Sequence, residues 1–442
     1  MGRERASKDS LAPRGLGGWL LVWLLGGLAF AGAVMLVVEI ATMAGPAFVA
    51  RPSLRRQQRL VMARHQNDLI SPVQMDSADA DVRDVVSHRV IPGATLAIGT
   101  RGKVVQLAGY GRVGWFASDA AASPDSTMYN LASLTKAVAT TSAVLLLVQD
   151  GRIGLDDPVQ RWLPEFNGLW KNRVTWRDLL THSSGLPPAG HIHGNTPAER
   201  LHSLLRTKLD APPGAEVQYS DVSFIVLWAA AQRVAGEPLQ NFLARRVWRP
   251  LGMRSTAFWP GEGCTRCAPT LTLHNGEPYR GKPSDPIAHK IGIPVGNAGL
   301  FSTAHDLGRF TAMIANGGEL DGVRIFRPDL VRLLFHQVPG AGHRTMGWEA
   351  FCPAEHPTQQ QPCVHPIAYG HTGWTGTSLW VDPVRGVWAV ILSNRSYDVK
   401  RPPPLDELRE DVFLDVATRP IAPQPASRSQ SALRDSTVAG VP

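Results

Sequence analysis

The sequence predicts an α/β fold: one discontinuous domain in which strands from both ends of the chain enclose a mostly helical insertion, preceded by a single apolar segment. Three observations carry that expectation. "TLAIGTRGKVVQLAGYG" at 95–111 alternates about a turn at Arg101-Gly102, the pattern of a hairpin. Strand-like runs return only after about residue 345, in "MGWEAF", "TSLWVDP" and "VWAVILSNR". Between the two groups, residues 152–290 read as helices and Pro/Gly loops, with "FIVLWAAAQRVAG" and "LQNFLARRVW" the clearest helical runs. Strands, then helices, then strands place both strand groups in one domain around the insertion.

The elements follow in chain order. Residues 1–14 form a short basic segment. Residues 15–38 carry no charge, and a helix of that length spans about 36 Å, more than the hydrocarbon core of a bilayer. Residues 15–44 therefore read as a transmembrane signal-anchor; a cleaved signal peptide has a shorter apolar region, and "TMA" at 42–44 is only a passable cleavage site. Arg and Lys flank this segment on both sides, so the positive-inside rule gives no orientation. Residues 45–82 read as a basic juxtamembrane linker, 83–420 as the globular domain and 421–442 as a polar, disordered tail. Within the domain, a long helix should run from about Ser133 and stop at Gly151.

The formal net charge of +8 suggests nucleic acid until its placement is considered. Residues 1–64 hold nine Lys or Arg and three Asp or Glu, so this stretch carries +6 of the total. The globular part is nearly neutral, which excludes a nucleic-acid footprint and puts the basic excess beside the membrane, where anionic head groups can meet it. The four cysteines are Cys264, Cys267, Cys352 and Cys363. An even count in an exported domain favours disulfides over free thiols or zinc: Cys352 and Cys363 bracket "PAEHPTQQQP" like the ends of a hairpin loop, and "CTRC" could be half a zinc site but no second C-x-x-C follows.

Three short stretches carry chemistry. In "NLASLTKAVAT", Ser133 and Lys136 are three apart at a helix start, so they share a face. The unpaired N–H groups and helix dipole there stabilise a developing negative charge, and burial can make the lysine a base; a capping serine and a surface lysine would give the same spacing. In "VQYSDVSF", Tyr219, Ser220 and Asp221 precede a helix, where Ser and Asp are also ordinary caps. In "YGHTGWTGT", glycines beside a strand let a substrate backbone approach, with His371, Thr372 and Gly373 along that edge. "HIH" at 191–193, together with His182, lacks a carboxylate or helical spacing and is set aside as a metal site. Trp162, Trp176 and Trp228 read as core.

In this order, a helix-start S-x-x-K, a Y-x-[N/D] and a [K/H]-T-G on a strand resemble the serine penicillin-recognising hydrolases. The closer resemblance is to the class C β-lactamase-like branch, with its D-Ala-D-Ala carboxypeptidases, D-aminopeptidases, class C β-lactamases and β-lactamase-fold esterases. It covers about residues 83–415 and is joined by "LLTHSSGLP" at 179, "PLGM" at 250, "GNAGLFSTAHDLGRF" at 296 and "AVILSNR" near the end. "YSD" and "HTGWTGT" are similar to low-molecular-weight periplasmic penicillin-binding-protein-like members. The resemblance implies the β-lactamase/transpeptidase-like fold, an antiparallel sheet flanked by helices. It implies Ser133 as the acylated nucleophile, Lys136 as its activating partner and Tyr219 as the proton relay. The backbone N–H groups of Ser133 and Trp374 would form the oxyanion hole. Asp221, His371, Thr372 and Gly373 would line the substrate.

Two departures bear on mechanism. His371 stands where β-lactamases have lysine, which weakens a fixed positive charge for a β-lactam carboxylate. Asp221 stands where many members have asparagine; its carboxylate cannot donate to a substrate carbonyl, and near Lys136 it should raise that lysine's pKa and shift the base role toward Tyr219. The expectation is a single-pass protein of the cytoplasmic membrane, its hydrolase domain periplasmic or extracellular. It would act through an acyl-enzyme without metal or cofactor, on cell-wall D-Ala peptides, with esterase or amidase action on small or lipid substrates as the alternative and a weakly catalytic cell-wall or β-lactam receptor as a third reading.

Overall fold

The computed structural model describes residues 70–273, 275–399 and 401–417. The predicted basic segment 1–14, the signal-anchor 15–44, the linker up to 69 and the tail 421–442 lie outside the described residues. Among those described, no helix is long and apolar enough to cross a membrane.

The hairpin read from 95–111 forms β1 (Gly93–Thr100) and β2 (Lys103–Gly111), with Thr100 facing Lys103 across the two-residue turn. The late strands are β3 (Glu349–Phe351), β4 (Ala368–Thr372), β5 (Ser378–Asp382) and β6 (Val387–Ser393). All six make one antiparallel sheet in the order β3-β4-β5-β6-β1-β2. The first strand and the last are thus central neighbours, with Thr95 opposite Leu392. Every residue of β1 and β6 is buried, because both faces of the sheet are covered.

One face is covered by α1 (Pro72–Ser87) and α5 (Asp406–Ala417), through a core that includes Ala78, Val82, Leu96, Ile391, Val412 and Phe413. Helix α1 corrects the sequence reading, in which 45–82 was linker: the fold begins near Ser71, where a capping box with Gln74 and a proline at the first turn start the helix. The stretch carries few apolar residues, and Ala78 and Val82, one turn apart, suffice to dock it.

The other face packs on α4 (Ala304–Ala315) and the larger core that runs into the insertion. There the helix after Ser133 begins as a π-helical turn, Lys136–Thr140, before α2 (Thr141–Gln149), and Gly151 at φ +68° ends it. Helix α3 (Asp221–Ala235) is capped by Ser220 Oγ, which accepts from the Ser223 N–H, and ends at Gly236. The insertion also holds short strands at Leu271–Thr272 and Pro278–Tyr279 that the helical reading missed. Trp176 and Trp228 are core, and Trp162 packs edge-on against Trp176. Both cysteine pairs close as disulfides, Cys264–Cys267 and Cys352–Cys363.

Candidate active site

Ser133 is half-buried at the turn that enters the π-helical segment, directly after Ala132, whose φ of +47° is left-handed. Neighbours fix that conformation: Asn130 Oδ1 accepts from the Ala132 N–H at 3.0 Å, and the Leu131 N–H donates to the Leu300 carbonyl at 2.9 Å. Leu300 lies on a short strand that pairs with Tyr129–Asn130.

Lys136 Nζ donates to Ser133 Oγ at 3.0 Å and to the Asn297 carbonyl at 3.0 Å, and pairs with Asp221 Oδ1 at 2.6 Å. An ammonium has three protons, and three acceptors surround this one. The side chain is fully buried. Burial by itself would lower its pKa, but the Asp221 carboxylate and the Tyr219 phenol outweigh that and hold Lys136 above its ordinary value. Lys136 is therefore a cation at neutral pH, a donor to Ser133 Oγ with no lone pair to take its proton.

Tyr219 lies against this cation, with Nζ 4.9 Å from its ring centroid. The Arg344 guanidinium sits 5.3 Å from the same ring, and the His182 ring packs 4.5 Å away. His182 is buried with φ +58°, and its Nδ1 accepts from the Ser220 N–H at 2.9 Å. Burial, then Arg344, Lys136 and His371, hold its pKa well below the ordinary value, so the acceptor nitrogen stays unprotonated. Arg344 is paired with Glu349 at 2.5 Å. Burial would raise the Glu349 carboxyl, but Arg344 with His343 and His371 keeps it well below the usual range.

On β4, His371 is buried, with its ring 6.1 Å from Tyr219. A carbonyl only accepts, so the 2.6 Å contact between His371 Nδ1 and the Thr372 carbonyl puts the ring proton on Nδ1. Nε2 is left as a buried acceptor without a protein donor among the described residues. Burial, opposed by Glu349 and helped by Arg344 and Lys136, lowers the His371 pKa to about 4. At neutral pH this position is uncharged.

The turn after β4 is tied to the Ser133 loop. Thr375 Oγ1 donates to the Asn130 carbonyl at 2.6 Å and Thr377 Oγ1 to the Leu131 carbonyl at 3.0 Å. Arg409 of α5, also buried, donates from Nη2 to the Gly373 and Thr377 carbonyls at 2.9 and 3.2 Å. A Cβ on Gly373 would lie 2.1 Å from Thr377 Oγ1 and 2.4 Å from the Leu131 carbonyl, so only glycine fits. Gly373, expected to line the substrate, has both backbone groups committed: its N–H donates to the Thr377 carbonyl at 2.8 Å. The N–H groups of Ser133 and Trp374 have no protein acceptor among the described residues, which is what an oxyanion hole requires. The Trp374 side chain is 53% exposed.

Ser133, Lys136, Tyr219, Asp221 and His371 are therefore linked through one network of direct contacts. The His-rich stretch separates: His182 is taken up by Tyr219 and Ser220, while His191 and His193 stack on each other at the surface. Among the described residues, the one acid, thiol and imidazole cluster with metal-site spacing is Cys352, Glu355 and Cys363, whose two sulfurs are joined to each other. Sequence reasoning missed Asn297, Arg344, Glu349 and Arg409. Asn297 falls inside "GNAGLFSTAHDLGRF" and His182 inside "LLTHSSGLP", where motif matching located the stretches without their roles. No local pattern marks Arg344 or Arg409.

Residues 78–412 match the family model described as Beta-lactamase. The chain belongs to the beta-lactamase family. A relative from Escherichia coli named "Putative D-alanyl-D-alanine carboxypeptidase" is 30% identical over 324 residues, which is 66% of this chain and 75% of that protein. A solved beta-lactamase/D-alanine carboxypeptidase from Pseudomonas syringae superposes with TM-score 0.61 at 20% identity, over 78% of this chain and 98% of its own. EstCE1, described as a hydrolase with promiscuous acyltransferase activity, superposes with TM-score 0.61 at 21% identity and the same coverage. At those identities the two structures establish the β-lactamase/transpeptidase-like fold. The protein is a serine hydrolase of the beta-lactamase family.

Proposed function

We propose that this protein is a membrane-anchored D-Ala-D-Ala carboxypeptidase that acts on peptidoglycan peptides through a Ser133 acyl-enzyme, its hydrolase domain facing the periplasm or cell exterior. The observation that carries the reading is the Lys136 ammonium, 3.0 Å from Ser133 Oγ and paired with Asp221 at 2.6 Å. The name of the Escherichia coli relative supports the substrate class, and the charge-free stretch 15–38 supports the anchor.

Lys136 points a proton at Ser133 Oγ, so its part is electrostatic: it stabilises the negative charge that builds on the oxygen as it attacks. The serine proton then needs another acceptor, and Tyr219 is the group placed for it, acting as a phenolate beside the Lys136 and Arg344 cations and becoming a neutral phenol as it takes the proton. The same phenol returns the proton to the leaving amine. The Ser133 and Trp374 N–H groups take the carbonyl oxygen as it becomes tetrahedral, a contribution of about 3 kcal/mol per donor. Water then repeats the sequence on the acyl-enzyme. Tyr219→Phe should cost at least as much activity as Lys136→Ala at equal stability; a far larger loss in Lys136→Ala would give the base role back to the lysine.

The deciding measurement is D-alanine release from a muropeptide pentapeptide by the detergent-solubilised full chain, beside Ser133→Ala. Release by wild type alone supports the carboxypeptidase and assigns the nucleophile. No release from folded wild type overturns it. One observation favours a second reading, an esterase or amidase on small substrates: His371, pKa about 4, supplies no fixed positive charge for a substrate carboxylate. Turnover of uncharged acyl esters without D-alanine release would select it, and a penicillin adduct that persists without any turnover would select a receptor.

A further inference from the structure

The backbone of Val217–Ser220, which delivers Tyr219 to the site, is held on two sides in alternation. The Gln218 N–H donates to the His182 carbonyl and the Ser220 N–H to His182 Nδ1, both at 2.9 Å. The Val217 N–H donates to Gln360 Oε1 at 3.0 Å and the Tyr219 N–H to Gln359 Oε1 at 2.8 Å. Gln360 Nε2 returns a bond to the Val217 carbonyl at 2.8 Å. This is the bonding of a strand between two neighbours, except that one neighbour consists of two side chains. Every N–H of the segment is thereby accounted for.

Both glutamines belong to the connection between β3 and β4, which the Cys352–Cys363 disulfide closes. The base of the loop is docked as well. Gln337 donates to the Cys363 carbonyl at 2.7 Å and accepts from the Cys363 N–H at 2.6 Å, and Glu355 accepts from the Val364 and His365 N–H groups at 2.8 and 2.9 Å. A Cβ on Gly342 would come within 1.9 Å of the Gln359 carbonyl, so the neighbouring turn seats directly against the tip. The glutamine side chains themselves lie in exposed residues, and an unbridged loop would be free to let water replace them.

We propose that Gln359 and Gln360 are positioning residues for Tyr219, and that the Cys352–Cys363 bridge keeps them within reach. The kinetic consequence rests on Tyr219 as proton relay; the geometric one does not.

Amide exchange at Val217 and Tyr219 tests the geometry in the full chain, alongside steady-state hydrolysis of a reporter acyl ester. Gln359→Ala with Gln360→Ala should speed exchange about tenfold and lower kcat about tenfold with KM within about twofold. Gln359→Glu keeps an acceptor for the Tyr219 N–H and should stay near wild type, whereas Gln359→Met keeps the length, loses the acceptor and should behave like alanine. Cys352→Ser with Cys363→Ser should reproduce the double glutamine variant while melting still reports a folded protein. Unchanged exchange at 217–219 in the double glutamine variant, or Gln359→Met matching Gln359→Glu, overturns the proposal. If Tyr219→Phe alone keeps full turnover, the relay reading fails instead, and exchange still decides the clamp.

Discussion

The two walls of the site are built to different standards. The wall of Ser133 and Trp374 is bolted through buried bonds, with Thr375 and Thr377 donating into the nucleophile loop and Arg409 into the turn from behind. The Tyr219 wall is held by His182, by the Pro187 and Pro188 carbonyls through Ser220 and Asp221, and by two exposed glutamines. Oxyanion donors stabilise charge only if they do not reorganise during the reaction, and the wall that carries the two proposed donors is the one made rigid. In the proposed mechanism Tyr219 has to reach both the attacking serine and the leaving amine, from a mount that includes exposed side chains.

The largest effect should come from the rigid wall. Arg409→Ala removes a buried cation that donates two charge-assisted hydrogen bonds to carbonyls and should cost about 3 kcal/mol of stability, read as a lower urea midpoint at unchanged slope. Stability within 1 kcal/mol of wild type would mean that the threonine bonds hold the turn unaided.

Acid should come next, and it acts on both walls, through His182 behind Tyr219 and His371 on β4. The His371 pKa is depressed from 6.5 to about 4 and that of His182 is also depressed, so the folded protein binds fewer protons than the unfolded chain in that range. Their contribution is fully present above about pH 6.5 and is lost as pH falls through the folded values, roughly 2 to 3 kcal/mol for His371. Protonation of His182 Nδ1 would also remove the acceptor of the Ser220 N–H. Denaturation midpoints between pH 7 and 4 should therefore fall, and His371→Gln should flatten part of the decline.

Gly373→Ala should cost about 1 to 3 kcal/mol by forcing the turn off Leu131, with a loss of kcat beyond what the melting shift explains. The last variant, Asp221→Asn, is read as a shift in pH dependence. With the carboxylate gone, burial dominates at Lys136 and its pKa should drop. The alkaline limb of kcat/KM should move to lower pH, and an unmoved limb would show that Lys136 does not set it.

The residues that announce chemistry were legible because each sits in a short local pattern: Ser133 and Lys136 three apart, Tyr219 two before Asp221, His371 in a glycine-rich strand end. The hairpin at 95–111 was legible for the same reason, since its alternation and its turn are adjacent. What holds these residues in place was not. Arg409 reaches Gly373 over 36 residues, Lys136 reaches the Asn297 carbonyl over 161, and Gln359 reaches the Tyr219 N–H over 140. A carbonyl acceptor has no side-chain signature, and a surface glutamine looks the same wherever it points. Helix α1 escaped for another reason: it docks through few apolar residues, too sparse to set a period.

The pairing of β1 with β6 sets the timing of this enzyme's birth. Thr95 waits for Leu392, and the oxyanion turn waits for Arg409. A growing chain that has already displayed Ser133, Lys136 and Tyr219 has no completed site, because the strand and helix that close it are made after those residues. Such distant pairings form slowly, and here the delay falls before the first possible turnover. A hydrolase whose site closes this late leaves the ribosome unarmed.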